Sequence, residues 1–401
     1  MRRVAWGTMT DKTKLRLVGR RTARRVGARE VHRYVPSAGL SLPVVTVLDR
    51  SGEILEDEQR AVVRWAVQEG HGANIIFAAG TTGEWNRLDN PRRQQIARVV
   101  VDECRRINAA GTPVEAWVGV TGHTRAETME NLEYAMELDA EAVVVAPLSI
   151  RDSDDPAGFV NREINALFER SRQSVPVFLY DNAEISAPGH PQHLHTRDVK
   201  QMSRMDYVRG VKVSGSKTVL GNYTRAASHF NRGGDFAIYA GDPHLIFDLF
   251  APPIGVRGWA RHYWNRYWTG DSLPYGIVAG ASNAMPREWR RALRVCRNGD
   301  SALMSRYAQV LEEFRAACEF NRAGRAFRPT LACLKAALVE MGVCRSEALA
   351  PGTPAFIGGE RREFARRFRS LRRRAAATLE PGWLSEVVAE PPQARLALKD
   401  G

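Results

Sequence analysis

The sequence predicts an α/β protein: a (β/α)8 barrel followed by a C-terminal three-helix segment. Three observations predict it. Eight short, almost continuously apolar runs fall between residues 42 and 283, the form expected of parallel strands covered on both faces. Their starts are spaced by roughly 28–40 residues. The intervals between them carry helical patterns, and strand–helix repeated eight times is the arithmetic of this barrel. The other arrangement of such a pattern is a doubly wound sheet, and its markers are missing. No G-x-G-x-x-G follows the first run, and no Walker sequence occurs.

The expected strands are Pro43–Leu48, Asn74–Ala79, Val114–Val120, Ala142–Ala146, Val175–Tyr180, Tyr207–Val213, Phe236–Ala240 and Gly276–Ala281. Two helices have clear starts. Thr124-x-x-Glu127 is a capping box, and Met129, Leu132 and Met136 then share one face of residues 124–138. Asp155-Pro156 supplies a cap and a proline at the first helical position of residues 156–170. After Met285-Pro286 only helices are expected, over residues 287–320, 329–342 and 360–376. The last carries Phe364, Phe368 and Leu371 as a stripe among arginines, which suits an amphipathic helix docked on the body. This divides the chain into a basic, flexible extension (1–40), a barrel (41–285), a helical segment (286–378) and a loose tail (379–401). Residues 251–275 break the rhythm with Trp259, His262, Tyr263, Trp264, Tyr267, Trp268 and Tyr275. Such an insert suits a covering or subunit-contact element, or a lid over the barrel mouth.

The 401 residues, 44% hydrophobic, are enough to bury a real core. No apolar run is long enough for a membrane helix, so no membrane partner is expected. The net charge of +13 is not spread evenly. Residues 1–40 carry 11 Lys/Arg against 2 Asp/Glu, and residues 360–401 carry 10 against 6. Positions 41–359 balance at 37 against 37, so the body has no electrostatic footprint for nucleic acid, and none is expected as a partner. The N-terminal segment lacks the apolar stretch of a secretory signal. It reads as a flexible basic arm, with an organelle transit peptide as the other reading and Met9 as a second candidate start. The five cysteines form no CxxC and have no histidine cluster nearby. They read as reduced, buried thiols of a cytoplasmic protein, with no metal site.

Chemistry in such a barrel sits at the C-terminal ends of the strands. Lys212 is the anomaly there. A lysine in an apolar strand must desolvate its ammonium, which favours the neutral amine. A neutral amine attacks carbonyls and can form a Schiff base. The other reading is a lysine paired with a carboxylate, or one snorkelling at the strand end. Gly80-Thr81-Thr82-Gly83 offers two hydroxyls and backbone N–H groups that suit a carboxylate, although a plain strand–helix turn has the same composition. Tyr180, ending the fifth strand, is either a proton donor or a plug of the barrel.

Taken together, G-T-T-G-E at residues 80–84, Tyr180, and Lys212 in G-V-K resemble the dihydrodipicolinate synthase / N-acetylneuraminate lyase family of class I aldolases. The resemblance runs from about Pro43 to about residue 376 and includes the eighth-strand stretch Gly276–Asn283. It implies that Lys212 forms an imine with pyruvate or a longer 2-oxo acid. Thr81 and Thr82 would hold the carboxylate and relay protons, and Gly80 and Gly83 of the same turn are candidate substrate-binding residues. Tyr180 would shuttle the proton, and the Ile277 backbone would line the pocket. The iminium is the electron sink, so neither metal nor organic cofactor is required. The resemblance also implies a homo-oligomer, a dimer or a tetramer. Two departures stand out. Where the family synthase has T-P-Y-Y, with its second tyrosine reaching into a neighbouring subunit, this chain has Ala146-Pro147-Leu148-Ser149. Where the synthase has an arginine for its second substrate, this chain has Ile185, after Tyr180-Asp181-Asn182-Ala183-Glu184. Asp181 and Asn182 are candidates for substrate hydroxyls, or turn formers, and Arg151 is a candidate replacement anion contact. The expected function is an imine-forming aldolase or dehydratase. The alternatives are 4-hydroxy-tetrahydrodipicolinate synthesis and a non-catalytic ligand-binding barrel with basic tails.

Overall fold

In the computed structural model, residues 34–230, 236–251, 255–257, 260 and 273–387 are described. Eight parallel strands close a barrel in chain order. They are β1 (Leu40–Pro43), β2 (Ile75–Ala78), β3 (Glu115–Gly119), β4 (Ala142–Val145), β5 (Val177–Asn182), β6 (Val208–Ser214), β7 (Ala237–Ala240) and β8 (Gly276–Val278). Pairing of β8 with β1, Leu40 against Ile277, completes the ring.

Seven of the strands lie where the sequence placed them. The first does not: the ladder runs over Leu40–Pro43, ahead of the expected Pro43–Leu48. Val44–Leu48 is apolar because it is buried, not because it pairs along its length. The Val45 amide bonds the Asn283 side chain and the Val47 amide bonds Gln59. Residues 34–39 likewise belong to the body rather than to a flexible arm. The Tyr34 hydroxyl donates to Glu115 at 2.7 Å, and Ser37 donates to the same carboxylate. Together with Trp117 Nε1 on Glu115, they close the end of the barrel where the strands begin.

The helices between strands are α1 (Glu56–Val67), α2 (Asn90–Ala109) and α3 (Arg125–Glu137). Thr124 caps α3 by accepting from the Glu127 amide, as the capping box predicts. Next comes α4, a continuous helix built of Pro156–Gly158, a π-type stretch Phe159–Ile164, and Asn165–Ser171. Asp155 caps it at the Gly158 amide. Then follow α5 (Thr196–Met202), α6 (Lys217–Ala226), α7 (Leu245–Leu249) and α8 (Pro286–Asn298).

The expected helix over 287–320 is two helices. Gly299 ends α8 in the left-handed conformation (φ 73°), where a side chain is costly. Asp300 then caps α9 (Ser301–Ala317) at the Leu303 amide. The first piece, α8, packs against β1 and α1 as the barrel's own eighth helix. The barrel therefore ends at Asn298 rather than at 285. A short hairpin follows, β9 (Phe320–Arg322) with β10 (Arg325–Phe327). Helices α10 (Thr330–Glu340) and α11 (Glu360–Thr378) complete the C-terminal segment. Phe364, Phe368 and Leu371 of α11 are buried in the main core, as their stripe predicts. Of the aromatic insert at 251–275, Trp259, His262, Tyr263, Trp264, Tyr267 and Trp268 lie outside the described residues. No described helix is long and apolar enough to cross a membrane.

Candidate active site

Strand alternation decides which residues meet. Along β5, Phe178 and Tyr180 belong to the apolar cluster inside the barrel, with Phe77, Trp117 and Tyr239. Val177 and Leu179 pack outward against the helices. On β6, Lys212 pairs in register with Tyr180 on one side and Tyr239 on the other. Its side chain is only 7% exposed, and Nζ stands 3.7 Å from the centre of the Tyr180 ring and 5.4 Å from that of Phe77. The amine thus rests on two aromatic faces. No carboxylate of the described residues forms a salt bridge with it, so the reading of a lysine paired to an acid is not met.

The turn after β2 supplies the next group. Residues Thr81–Gly83 form one turn of 3-10 helix, closed by Gly83 N–H on the Gly80 carbonyl and Glu84 N–H on the Thr81 carbonyl. Two non-glycine residues with positive φ, Ala79 (51°) and Glu84 (59°), bracket it. Each such residue stores on the order of 1 kcal/mol of strain and persists only where its surroundings hold it. Close approach favours glycine at 80 and 83. A Cβ at Gly80 would meet the Phe77 ring at 2.9 Å, and one at Gly83 would meet the Val44 carbonyl at 3.0 Å. Gly280, after β8, is pressed in the same way against Thr82 Oγ1.

This packing brings Thr81 Oγ1 to 3.3 Å from the Tyr180 hydroxyl. Asn182, two residues on and on the same face, donates Nδ2–H to that hydroxyl at 2.9 Å. Burial alone would raise the Tyr180 phenol. The adjacent Lys212 charge outweighs it, together with hydrogen bonds from Thr81, Ser214 and Lys212, and holds the phenol below its usual range. Ser214 is a group the sequence reading missed. It lies two residues beyond Lys212 at the same strand end, and period-two counting from Lys212 would have found it.

Asp181, by contrast, is not brought to this cluster. It points to the outside of the barrel, fully buried, and accepts from Tyr223 Oη (2.7 Å), His193 Nδ1 (2.9 Å) and the Leu194 amide (3.0 Å). Burial pushes its carboxyl up, against those three hydrogen bonds. Its position is that of a brace between β5, the loop before α5, and α6. Ile277 also packs outward, and Val278 is the β8 side chain that faces the interior. Ile185 packs against the interior cluster, so the position of the synthase arginine is apolar here. Ser149 is buried after β4, and its Oγ has no hydrogen-bond partner. Arg151 is exposed on a surface turn. All five cysteines are free and buried.

A closed parallel barrel with an inward lysine on β6 and the Tyr180 and Thr81 hydroxyls beside it is the arrangement of a class I, imine-forming lyase. The model of the Dihydrodipicolinate synthetase family matches residues 36–259, more than half of the sequence, and the chain belongs to that family. It is 28% identical over 224 residues to a 4-hydroxy-tetrahydrodipicolinate synthase of Ectopseudomonas mendocina, covering 55% of this chain and 68% of that protein. It is 24% identical over 279 residues to a putative 2-dehydro-3-deoxy-D-gluconate aldolase, YagE, of Escherichia coli, covering 68% and 78%. Among solved structures, YagE in complex with pyruvate superimposes with a TM-score of 0.63 at 20% identity, over 83% of this chain and 98% of that one. The dihydrodipicolinate synthase of Bacteroides thetaiotaomicron gives 0.65 at 18% identity, over 84% and 99%. These two likenesses are likenesses of fold.

Proposed function

We propose that the chain cleaves or dehydrates a hydroxylated 2-oxo acid through an imine on Lys212, with Tyr180 and Thr81 as its proton relay. The observation that carries this reading is the contact set of one phenol: Lys212 Nζ over its ring, with Thr81 Oγ1 and Asn182 Nδ2 on its oxygen.

The steps follow from these positions. Lys212 Nζ adds to the C2 carbonyl, and the hydroxyl so formed takes the Tyr180 proton and leaves as water, giving an iminium and a phenolate. In a 4-hydroxy-2-oxo acid the hydroxyl proton passes to the Tyr180 oxygen, and the C3–C4 bond breaks. Its electron pair flows into the iminium to give an enamine, and an aldehyde leaves. Protonation at C3 and addition of water then release pyruvate and restore the amine. A phenol held below its usual range exchanges protons more readily near neutral pH, which suits the shuttle. In this reading the Gly80-Thr81-Thr82-Gly83 turn, with its hydroxyls and backbone N–H groups, binds the substrate carboxylate.

The reading as a 4-hydroxy-tetrahydrodipicolinate synthase is weaker, because apolar Ile185 stands where that activity needs a cation for its second carboxylate. Relatives named as a sugar-acid aldolase and, over 30% of this chain, as a probable 5-dehydro-4-deoxyglucarate dehydratase of Acinetobacter baumannii fit the hydroxylated substrate. A non-catalytic barrel would have no need of the Lys212–Tyr180–Thr81 contacts. We place the protein in the cytoplasm, as its free, buried thiols suit, and as a homo-oligomer.

A panel of 2-oxo acids and 2-oxo-3-deoxy sugar acids, assayed for pyruvate or dehydrated product, tests the proposal. At least one should turn over, and Lys212→Ala should turn over none. Turnover that survives Lys212→Ala contradicts it.

A further inference from the structure

The Glu84 carboxylate lies directly behind the catalytic turn and is held entirely by the C-terminal segment. Lys335 Nζ of α10 donates to its Oε2 at 2.5 Å and to the Ala348 carbonyl at 2.6 Å. The Ala350 amide (2.9 Å) and Thr353 Oγ1 (2.7 Å) donate to its Oε1. The carboxylate and the ammonium are both removed from water, at 0% and 1% exposure. Residues 335–353 lie beyond the part of the chain that the family model matches.

A buried ion pair of this kind is poor value as a source of stability, because desolvation offsets most of the attraction. What it does supply is a fixed position. Glu84 closes the catalytic turn with its own N–H on the Thr81 carbonyl, from a positive-φ conformation that needs outside support. The same turn carries Thr81, whose contact with Tyr180 at 3.3 Å is already longer than an ordinary O–H···O bond. A few tenths of an ångström of slack would break that contact well before the barrel opened.

We propose that Glu84, Lys335 and Thr353 are positioning residues. Through them the C-terminal segment sets the place of Thr81 against Tyr180, and of the turn against the substrate carboxylate. The inference rests on the reading of the site given above. It makes the segment after the barrel a part of the catalytic apparatus rather than an appendage.

The test replaces the anchors without leaving a lone buried charge. Glu84→Met/Lys335→Met keeps an unbranched side chain of similar length at both positions and removes every anchoring bond, and apolar replacement of a buried pair leaves folds intact in comparable cases. The far-ultraviolet circular dichroism should be unchanged, while KM for the 2-oxo acid rises and kcat falls by roughly 10- to 100-fold, the scale of an ångström misplacement. A folded double variant with the parent KM and kcat would overturn the inference. Should the double variant not fold, Thr353→Val decides alone. It deletes one anchor at constant shape and should lower kcat/KM at least about twofold, the scale of a weak hydrogen bond. Unchanged kcat/KM would overturn the inference. Borohydride trapping of pyruvate on Lys212 in the parent protein separates the two levels. Failure to trap there counts against the site, whereas trapping with unaffected variants counts against the anchoring alone.

Discussion

Lys212 shows how far a single residue can be argued from sequence. Its apolar strand context and its distance from Tyr180 were legible, and the two side chains do meet. What was not legible was which neighbours face inward. Asp181 and Asn182 look alike in the sequence, yet alternation sends Asn182 to the Tyr180 hydroxyl and Asp181 to the outer brace with Tyr223 and His193. Ser214 was missed for the same reason, since nothing marks it until Lys212 is known to point inward. The roles differ in a way kinetics can read. Tyr180→Phe keeps the ring beneath the Lys212 amine but removes the hydroxyl proposed as the proton shuttle. It should lower kcat by roughly 100- to 10,000-fold, as loss of a general acid–base does, while pyruvate still forms a trappable imine on Lys212. Near-parent turnover by Tyr180→Phe would remove the phenol from the mechanism.

At the scale of elements, continuous apolar runs located seven strands, because strands covered on both faces leave little room for polar residues. The first was displaced because burial and ladder pairing are different properties. Val44–Val47 is as buried as any strand, but its Val45 and Val47 amides go to side chains. The join of α8 and α9 was overlooked although Asn298-Gly299-Asp300 carries both a left-handed stop and a cap. A helical periodicity that continues on each side masked it. The stop is testable. Gly299→Ala forces a Cβ into φ 73°, and it should cost about 1 kcal/mol in urea denaturation with kcat unaltered. No loss of stability would mean that the chain at Gly299 is not held in this conformation.

For the molecule as a whole, the balanced charge of the body and the terminal location of the excess are sequence facts that fit an enzyme of small anions. One buried carboxyl makes a contribution to the dependence of stability on pH whose sign can be worked out. Glu141, at the start of β4, accepts from the Ala116 amide at 2.9 Å. Burial raises its carboxyl to about 7, against the pull of that hydrogen bond. A carboxyl raised on folding is ionised first in the unfolded chain. Its penalty is absent below about pH 4.5, grows as pH rises, and is complete above about pH 7. Glu141→Gln should therefore raise the melting temperature at pH 8 and lose that advantage toward pH 4.5. The gain is bounded by about 3 kcal/mol, since the side chain retains some contact with water. An advantage equal at both pH values would contradict the assignment.

The central claim is that Lys212 is the amine that carries the substrate. Borohydride added to the protein with pyruvate, followed by peptide mass mapping, measures it most directly. The account predicts one reduced pyruvate adduct per chain, located on Lys212 and absent from Lys212→Ala. An adduct on another lysine, or none on a folded protein, would contradict it.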